Sequence, residues 1–452
     1  MSGKKVLLIS ANRYTNPFPV YPLALSYLST YLKNRLENHE INVFDFNLNT
    51  LTMLTDYLIS FEPDFIGLSI RNVDTIDIHN ERNFVEEAGT IIQEIRKNSN
   101  ARIIIGGAGF SIFPEQLFDL LKPDFGIKGE GEDSLVQLLL SLENNTDPSG
   151  IEGLVFRKEN RVIYNRRKTF LRKLEIQYDN DLVDYYWEKG GMLGLQTKRG
   201  CPYHCVYCTY PLIDGATVRT LNIDDIVSTL SDIYHQKGIN YVFFTDSVFN
   251  IENEYNLELA EKIIQSGIKI NWGAYFTPHN MDEHLLKTLK KSGLTHIEFG
   301  TESICDQTLK NYNKHFTVAD IFEKSELCNR LGIYFAHFLI LGGYGETEDT
   351  INETFENCKK IKKTVFFPFW GMRIYPHTQL RKHAIREGRI TEDDTLIEPR
   401  YYLTDNLDFQ KIKDKAQQTG KQWIFPEDDF SGSVNQLREK GKKGVLWEFL
   451  IK

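Results

Sequence analysis

No stretch of this 452-residue sequence reaches the roughly 18 consecutive apolar residues that a membrane-spanning helix needs. No secretory leader is expected either. The opening MSGKKVLLIS runs at once into a strand-like segment, without an apolar leader core or a small-residue cleavage site. The expectation is a cytoplasmic protein with no membrane insertion. There is no basic stripe or Lys/Arg-rich tail, and the formal net charge is −9, which disfavours a nucleic-acid partner. Internal repeats and low-complexity tracts are absent as well. Cysteine is scarce and uneven. None of the six precedes Cys201; three fall within eight residues (Cys201, Cys205, Cys208), and Cys305, Cys328 and Cys358 are scattered. In a chain of cytosolic character, clustered cysteines point to metal or redox chemistry rather than disulfides, and the scattered three read as free buried thiols.

What is present is a long α/β pattern, in a chain long enough for two or three domains. Short apolar runs at 5–10 (KVLLIS), 41–46, 65–70 (FIGLSI), 102–105 and 125–127 predict five strands. Helical spacing follows at 22–33, near 84–97 and from about 134. Strands alternating with helices predict a parallel, doubly wound, Rossmann-like sheet covered on both faces, over 1–145. Ligands of such sheets bind at the C-terminal strand ends. Here those ends are residues 10–12, 69–72, 106–111 and 129–132, all polar or glycine-rich. A connector with a small β element is expected at 146–190. A second β/α series then spans 191–385, with strands expected at 194–197, 241–245, 270–274, 296–300, 334–341 and 371–374. Six units fit a partial (β/α)6 barrel of TIM type, with its chemistry at the C-terminal strand ends. Residues 386–452 read as a small C-terminal extension without chemistry of their own.

The segment RGCPYHCVYCTY (199–210) has the spacing C-x3-C-x2-C and follows directly on the first barrel strand. Three thiolates on one tight loop can take three irons of a cubane and leave the fourth iron without a protein ligand. An open coordination site is what chemistry at a metal requires. Zinc is the main rival, but it would need a fourth ligand, and His204 would have to bind from between two ligand cysteines.

This loop resembles the radical SAM superfamily motif, C-x3-C-x-Tyr-Cys at the end of the first strand of a β/α barrel. Later segments are similar to that family's as well: FTDS (244–247), FGTES (299–303) and LILGGYGET (339–347). The resemblance implies a [4Fe–4S] cluster on Cys201, Cys205 and Cys208. It also implies S-adenosylmethionine (SAM) held by Tyr207, Asp246, Gly300, Thr301, Glu302, Ser303, Gly342 and Gly343, with Tyr207 against the adenine. The N-terminal segments PVYPLALSYLS (19–29), Gly106-Gly107 and GEGE (129–132) resemble cobalamin-binding domains fused to such barrels. The corrin residues implied are Asn12, Ser69, Arg71, Asn72, Gly106, Gly107, Gly129 and Glu130. One departure concerns the cobalt. The Asp-x-His-x-x-Gly signature is not found, because Arg82 stands where Asp77-Ile-His79 would need a glycine. The resemblance then implies cobalamin with its tail base displaced and no histidine ligand, with Arg71, Asn72 or Val73 near the lower face.

By resemblance the leading expectation is a cobalamin-dependent radical SAM C-methyltransferase. One SAM would methylate cob(I)alamin, and a second would give the 5′-deoxyadenosyl radical that takes hydrogen from an unactivated carbon. The substrate would be a small molecule, and an electron donor such as flavodoxin or ferredoxin is implied. A cyclase or rearrangement enzyme with both cofactors is the alternative, and a non-catalytic cobalamin or SAM sensor is the alternative of another class. A methylthiotransferase is disfavoured, because no cysteine before Cys201 could hold an auxiliary cluster. His296 and His337 are expected as satisfied core histidines and Cys305 as a plain buried thiol. Trp272 and Tyr275 could line a cavity or fill the core, and Arg373 with Tyr375 could meet an acidic substrate group.

Overall fold

The computed structural model describes residues 3–428 and 431–451. Its strands, in chain order, are β1 Lys5–Ser10, β2 Glu40–Asp45, β3 Phe65–Ser69, β4 Arg102–Gly106, β5 Phe125–Ile127, β6 Leu154–Lys158, β7 Arg161–Tyr164, β8 Leu193–Leu195, β9 Lys198–Arg199, β10 Arg219–Thr220, β11 Tyr241–Phe244, β12 Asn271–Phe276, β13 Leu294–Glu302, β14 Tyr334–Leu341, β15 Thr364–Trp370, β16 Met372–Arg373, β17 Tyr401–Tyr402 and β18 Gln422–Trp423. The chain divides into two compact units. The first takes residues up to Thr75, Glu81–Tyr185 and Leu212–Asp214; the second takes Ile76–Asn80, Tyr186–Pro211 and everything from Gly215.

In the first unit a seven-stranded sheet runs β2-β1-β3-β4-β5-β6-β7. The first five strands are parallel, and their apolar runs are buried on both faces, as helices on each side require. The covering helices show why these residues are helical. In Phe84–Asn98, Val85, Ala88, Ile91, Ile92 and Ile95 recur at helical spacing and are buried. Glu86 and Glu87 occupy its first turn, Arg96 and Lys97 its last, so the charges complement the helix dipole. The Asn83 side chain accepts from the Val85 amide at 2.9 Å, a cap worth about 1 kcal/mol. A helix over Leu51–Phe61, capped by Thr50, joins β2 to β3 and has no counterpart in the sequence reading. The connector carries its small β element, the hairpin β6–β7, which extends the first sheet antiparallel from β5, and ends in a helix over Asn180–Lys189.

The second unit holds the barrel, whose sheet runs β18-β15-β14-β13-β12-β11-β8. Five of its strands fall where the sequence places them. The sixth does not: β15 occupies Thr364–Trp370, and Met372–Arg373 instead pairs antiparallel with Tyr401–Tyr402. A seventh strand, β18, comes from the extension and pairs with β15. Side chains alternate between the helix layer and the barrel interior. On the helix side His337 accepts or donates at Thr301 Oγ1 (2.7 Å) and Ser325 Oγ (3.1 Å) between the rings of Phe299 and Phe366. Burial lowers its pKa to about 3, so it is a neutral core histidine. Trp272 lies in the same layer, buried against Phe244 and Phe249.

The barrel interior is closed at the N-terminal strand ends by the extension. Phe243, Ala336 and Val365 pack with Val445 and Trp447, and Leu450 and Ile451 sit against them. Polar contacts accompany this floor. Trp447 Nε1 donates to Glu298 Oε1 at 3.0 Å, and His296 Nε2 lies 3.2 Å from Glu448 Oε2. His296 Nδ1 is 2.8 Å from the hydroxyls of both Tyr241 and Thr295. Within the extension, residues 422–423 and 445–451 are therefore a structural part of the barrel.

Candidate active site

The cysteine loop leaves β8 through a buried anchor. Asp246 Oδ1 accepts from the amides of Thr197 (2.7 Å) and Lys198 (3.0 Å), and Oδ2 takes the Thr197 hydroxyl and the Lys198 ammonium (3.2 Å). Lys198 also donates to Asn256 Oδ1 at 2.7 Å and lies over the Phe249 ring. Asp246 is thus fully engaged in orienting the strand that feeds the loop. This corrects its expected SAM contact, because both carboxylate oxygens are already taken in the interior. Lys198–Arg199 then pairs with Arg219–Thr220, and Gly200 turns the chain at φ +91°. A Cβ there would lie 2.2 Å from the Thr217 carbonyl oxygen, so only glycine fits.

Four consecutive residues, Tyr312 to His315, between the helices Asp306–Asn311 and Val318–Leu331, grip the loop. The Tyr312 carbonyl accepts from the Val206 amide at 3.2 Å, and Asn313 Nδ2 donates to the His204 carbonyl at 2.7 Å. Lys314 Nζ reaches Cys205 Sγ at 3.9 Å, Tyr207 Oη at 3.4 Å and Glu302 Oε1 at 3.0 Å. The His315 ring stacks on Tyr203 with centroids 3.6 Å apart and planes 7° from parallel. Burial brings the His315 pKa down to about 4, so this stacked ring is neutral. Tyr207 Oη donates to Glu302 Oε1 at 2.7 Å, and Glu302 sits at a β-bulge with φ +64°. Glu302 raises the Lys314 pKa, with the Cys205 and Cys208 sulfurs adding to the effect. Sequence reasoning missed Lys314 and the rest of this turn.

The donor set suits an iron–sulfur cluster. Three cysteine sulfurs outside any disulfide share one loop, and burial pushes the Cys208 thiol up to about 12, a cost that a bound cation reverses. Among the described residues no three His, Cys, Asp or Glu side chains converge at the spacing of a single metal ion. Cysteines on separate irons of a cubane stand farther apart than ligands of one ion. The other SAM residues divide. Gly300 and Glu302 face the interior, whereas Thr301 bonds His337 and Ser303 bonds Thr354 at 3.1 Å in the helix layer. Their hydroxyls are therefore removed from the expected contact set. The Gly342 amide donates to Glu346 Oε2 at 2.6 Å, and a Cβ on Gly343 would fall 2.2 Å from the Tyr312 hydroxyl. Burial lifts the Glu346 carboxyl to about 8.

In the first unit the order 2-1-3-4-5 puts its switch point between β1 and β3. A cleft opens there, lined by Ala11, Asn12, Ile70, Arg71, Asn72 and Phe84. Ser69, Gly106 and Gly107 lie at the neighbouring strand ends, and the Gly129 amide donates to Ser111 Oγ at 2.8 Å. Glu130 is spent elsewhere: its carboxylate accepts from the Leu171 amide at 3.1 Å and its carbonyl from Arg167. His79 belongs to the second unit, its ring 4.8 Å from Phe409 and 6.3 Å from Trp370. Among the described residues no histidine lines the cleft. Arg373 donates to the carbonyls of Ile374 and Leu396, both at 2.7 Å, which accounts for its buried guanidinium. Cys305 is a buried thiol 3.3 Å from Glu353 Oε2.

Residues 195–358 match the radical SAM superfamily, and residues 10–139 match the B12 binding domain. The chain carries both a radical SAM domain and a B12-binding domain. An uncharacterized methyltransferase of Pyrococcus horikoshii is 24% identical over 374 residues, 80% of this chain and 78% of that protein. The tryptophan 2-C-methyltransferase of Streptomyces laurentii is 25% identical over 447 residues, 83% and 74% of the two chains. Among solved structures, a radical SAM methyltransferase from Kitasatospora setae, with tryptophan and a SAM analogue bound, superposes with a TM-score of 0.89. It is 22% identical and covers 98% of this chain and 97% of that one, which establishes the shared fold. The anaerobic magnesium-protoporphyrin IX monomethyl ester cyclase of Cereibacter sphaeroides is 25% identical over 67% of this chain and 50% of that protein. No helix among the described residues is long and apolar enough to cross a membrane.

Proposed function

We propose that this chain is a cobalamin-dependent radical SAM enzyme that methylates an unactivated carbon of a small organic molecule. The observation that carries the reading is the meeting of Cys205, Tyr207, Glu302 and Lys314 at the C-terminal ends of the barrel strands. When bound, the [4Fe–4S] cluster and SAM supply a 5′-deoxyadenosyl radical, and the corrin supplies the methyl group. In this reading Cys201, Cys205 and Cys208 hold three irons and leave the fourth open. Lys314 places a cation beside a ligand sulfur, where it offsets the negative charge of the reduced site. Glu302 holds both Lys314 and the Tyr207 hydroxyl, which fixes the Tyr207 ring. Gly342 and Gly343 offer bare backbone braced by Glu346. Asn12, Arg71 and Asn72 line the cleft that would hold the corrin, so their guanidinium and amide groups would be the polar side chains offered to it there. A flavodoxin or ferredoxin supplies the electron, and the cytoplasm is the compartment of action.

The test is a Cys205→Ala variant reconstituted with iron and sulfide beside the unaltered protein. The variant is expected to lose iron–sulfur absorption and SAM cleavage to 5′-deoxyadenosine while still binding cobalamin. Retained cleavage would reject the reading. A second reading, cyclisation without methyl transfer, draws support from the likeness to the cyclase. Product mass separates the two, since only methylation adds one methylene unit.

A further inference from the structure

Beside the cysteine loop stands a buried ion pair. Lys314 Nζ lies 3.0 Å from Glu302 Oε1, and the two side chains are only 5% and 12% exposed. The same ammonium touches the Cys205 sulfur at 3.9 Å and the Tyr207 hydroxyl at 3.4 Å. That hydroxyl donates to Glu302 at 2.7 Å, so one carboxylate oxygen holds both the ammonium and the phenol. The rings of Tyr207 and Phe316 flank the ammonium at 5.8 and 5.5 Å. Its backbone is fixed as well. The Lys314 amide donates to the Leu309 carbonyl at 2.9 Å, and the neighbouring Asn313 side chain bonds the His204 carbonyl at 2.7 Å. The cation is held against the loop and shielded from water.

We infer that Lys314 and Glu302 are positioning residues that set the reduction potential of the cluster, Lys314 raising it and Glu302 trimming the rise. The inference rests on the functional reading above, since it requires a cluster on Cys201, Cys205 and Cys208. Reduction adds a negative charge to that loop. The potential of an iron–sulfur cluster follows the net charge around it and the hydrogen bonds to its sulfurs. An ammonium against a sulfur acts through both, and burial keeps salt from screening it. A carboxylate acts with the opposite sign. The contacts rank the two: Lys314 touches the sulfur itself, whereas Glu302 bonds the ammonium and the Tyr207 hydroxyl. His315, next in the chain, is neutral and adds no charge. A lysine alone would leave the cluster easy to reduce but a weaker reductant towards the sulfonium of SAM. The paired carboxylate limits that loss.

Potentiometry of the full chain reconstituted with cluster and cobalamin tests this, with SAM left out so that its own contacts do not enter. Electron paramagnetic resonance at stepped potentials reads the fraction of reduced cluster. Lys314→Gln keeps a donor and removes the charge. At a fixed potential it is expected to lower the ratio of reduced to oxidised cluster about tenfold, which is about 59 mV for one electron. Glu302→Gln is expected to move the ratio the other way by a similar factor, and Lys314→Arg, which keeps the charge, to stay within about threefold. Opposite shifts separate charge from loosened packing, which would move both glutamine variants in one direction. If either single variant fails to hold iron, the double variant Lys314→Gln with Glu302→Gln stands in, because it leaves no buried charge unpaired. Its ratio is expected to fall about threefold, since the cation nearer the sulfur is lost. An unmoved potential, shifts of one sign in both single variants, no fall in the double variant, or loss of iron from all three overturns the inference. Cluster uptake and SAM cleavage by the unaltered protein report separately on the proposed function.

Discussion

The stack of His315 on Tyr203 bears on the cluster loop through one ring contact, worth about 0.5–1.5 kcal/mol beyond its buried area. His315→Ala is expected to lower iron content after reconstitution several-fold, and His315→Phe to restore it, as measured by iron per chain and the spectrum of the reduced cluster. Equal iron in both variants would assign the stack no part in holding the loop. Glu302 makes a stronger case. Its carboxylate pairs with a Lys314 ammonium that is 5% exposed, and Glu302→Gln leaves that charge without its partner. Removing one member of a buried pair costs about 3–5 kcal/mol, so a clear fall in the barrel's unfolding temperature is expected; an unchanged value would mean that Lys314 finds water. These residues differ in how far the sequence discloses them. Cys201, Cys205 and Cys208 declare themselves because all three lie on one loop. Lys314 sits 109 positions from Cys205, and only closure of the barrel brings it there. Asp246 was legible as a strand-end acid, but not as the partner of Lys198, since nothing local marks that lysine as buried. The same holds for Thr301 and Ser303: the motif names them, and the pleat turns them towards the helices.

At the scale of elements, β13 carries a second buried acid, Glu298, at the barrel floor. Burial raises its pKa to about 7 despite the Trp447 bond. The folded pKa lies above the ordinary carboxylate value, so the protonated form is the native one. Its stabilising effect is whole below about pH 4.5 and is lost as pH rises through about 7, by on the order of 3 kcal/mol. Denaturant titrations of the unaltered protein and Glu298→Gln between pH 5 and 8, a working range of about this width, are expected to differ in slope, the variant being flatter. Matching slopes would place the titration elsewhere, with Glu346 the next group to examine. Gly200→Ala forces a side chain into left-handed backbone and against the Thr217 carbonyl, at a cost of about 1–3 kcal/mol. Lost iron binding at lower temperature is the expected sign. Parallel strands were readable as apolar runs, and five of the barrel's seven were placed from them. β15 was not, because Pro368 interrupts TVFFPFW and a proline argues against a central strand. The structure tolerates it because β18 pairs only with Val365 and Phe366, so the amide lost at Pro368 faces no neighbour on that side. β18 is two residues long, too short for any pattern to announce it.

For the whole molecule, the two units have separate sheets and separate cores. Two calorimetric transitions are expected. Cobalamin at about a hundredfold excess over its Kd would add about 2.7 kcal/mol to the unit that binds it, raising that transition by roughly 5–10 °C. The other transition should stay in place, and removal of the cobalamin should reverse the shift. A single transition that moves as one would refute this. The first unit's topology was legible because its strand ends are polar and its runs are apolar. The reach of the second unit was not, because Trp447 and its neighbours look like the periphery of a domain. They are its floor, and that has a consequence for synthesis. Domains are completed in the order in which the ribosome delivers them, at about 5–20 residues per second. Residues 445–451 emerge after every wall strand, so the nascent barrel waits for seconds with Phe243, Ala336 and Val365 bare to water at one mouth. During that interval the chain is at its most prone to stick to its own kind, and a premature stop anywhere before Val445 makes the interval permanent.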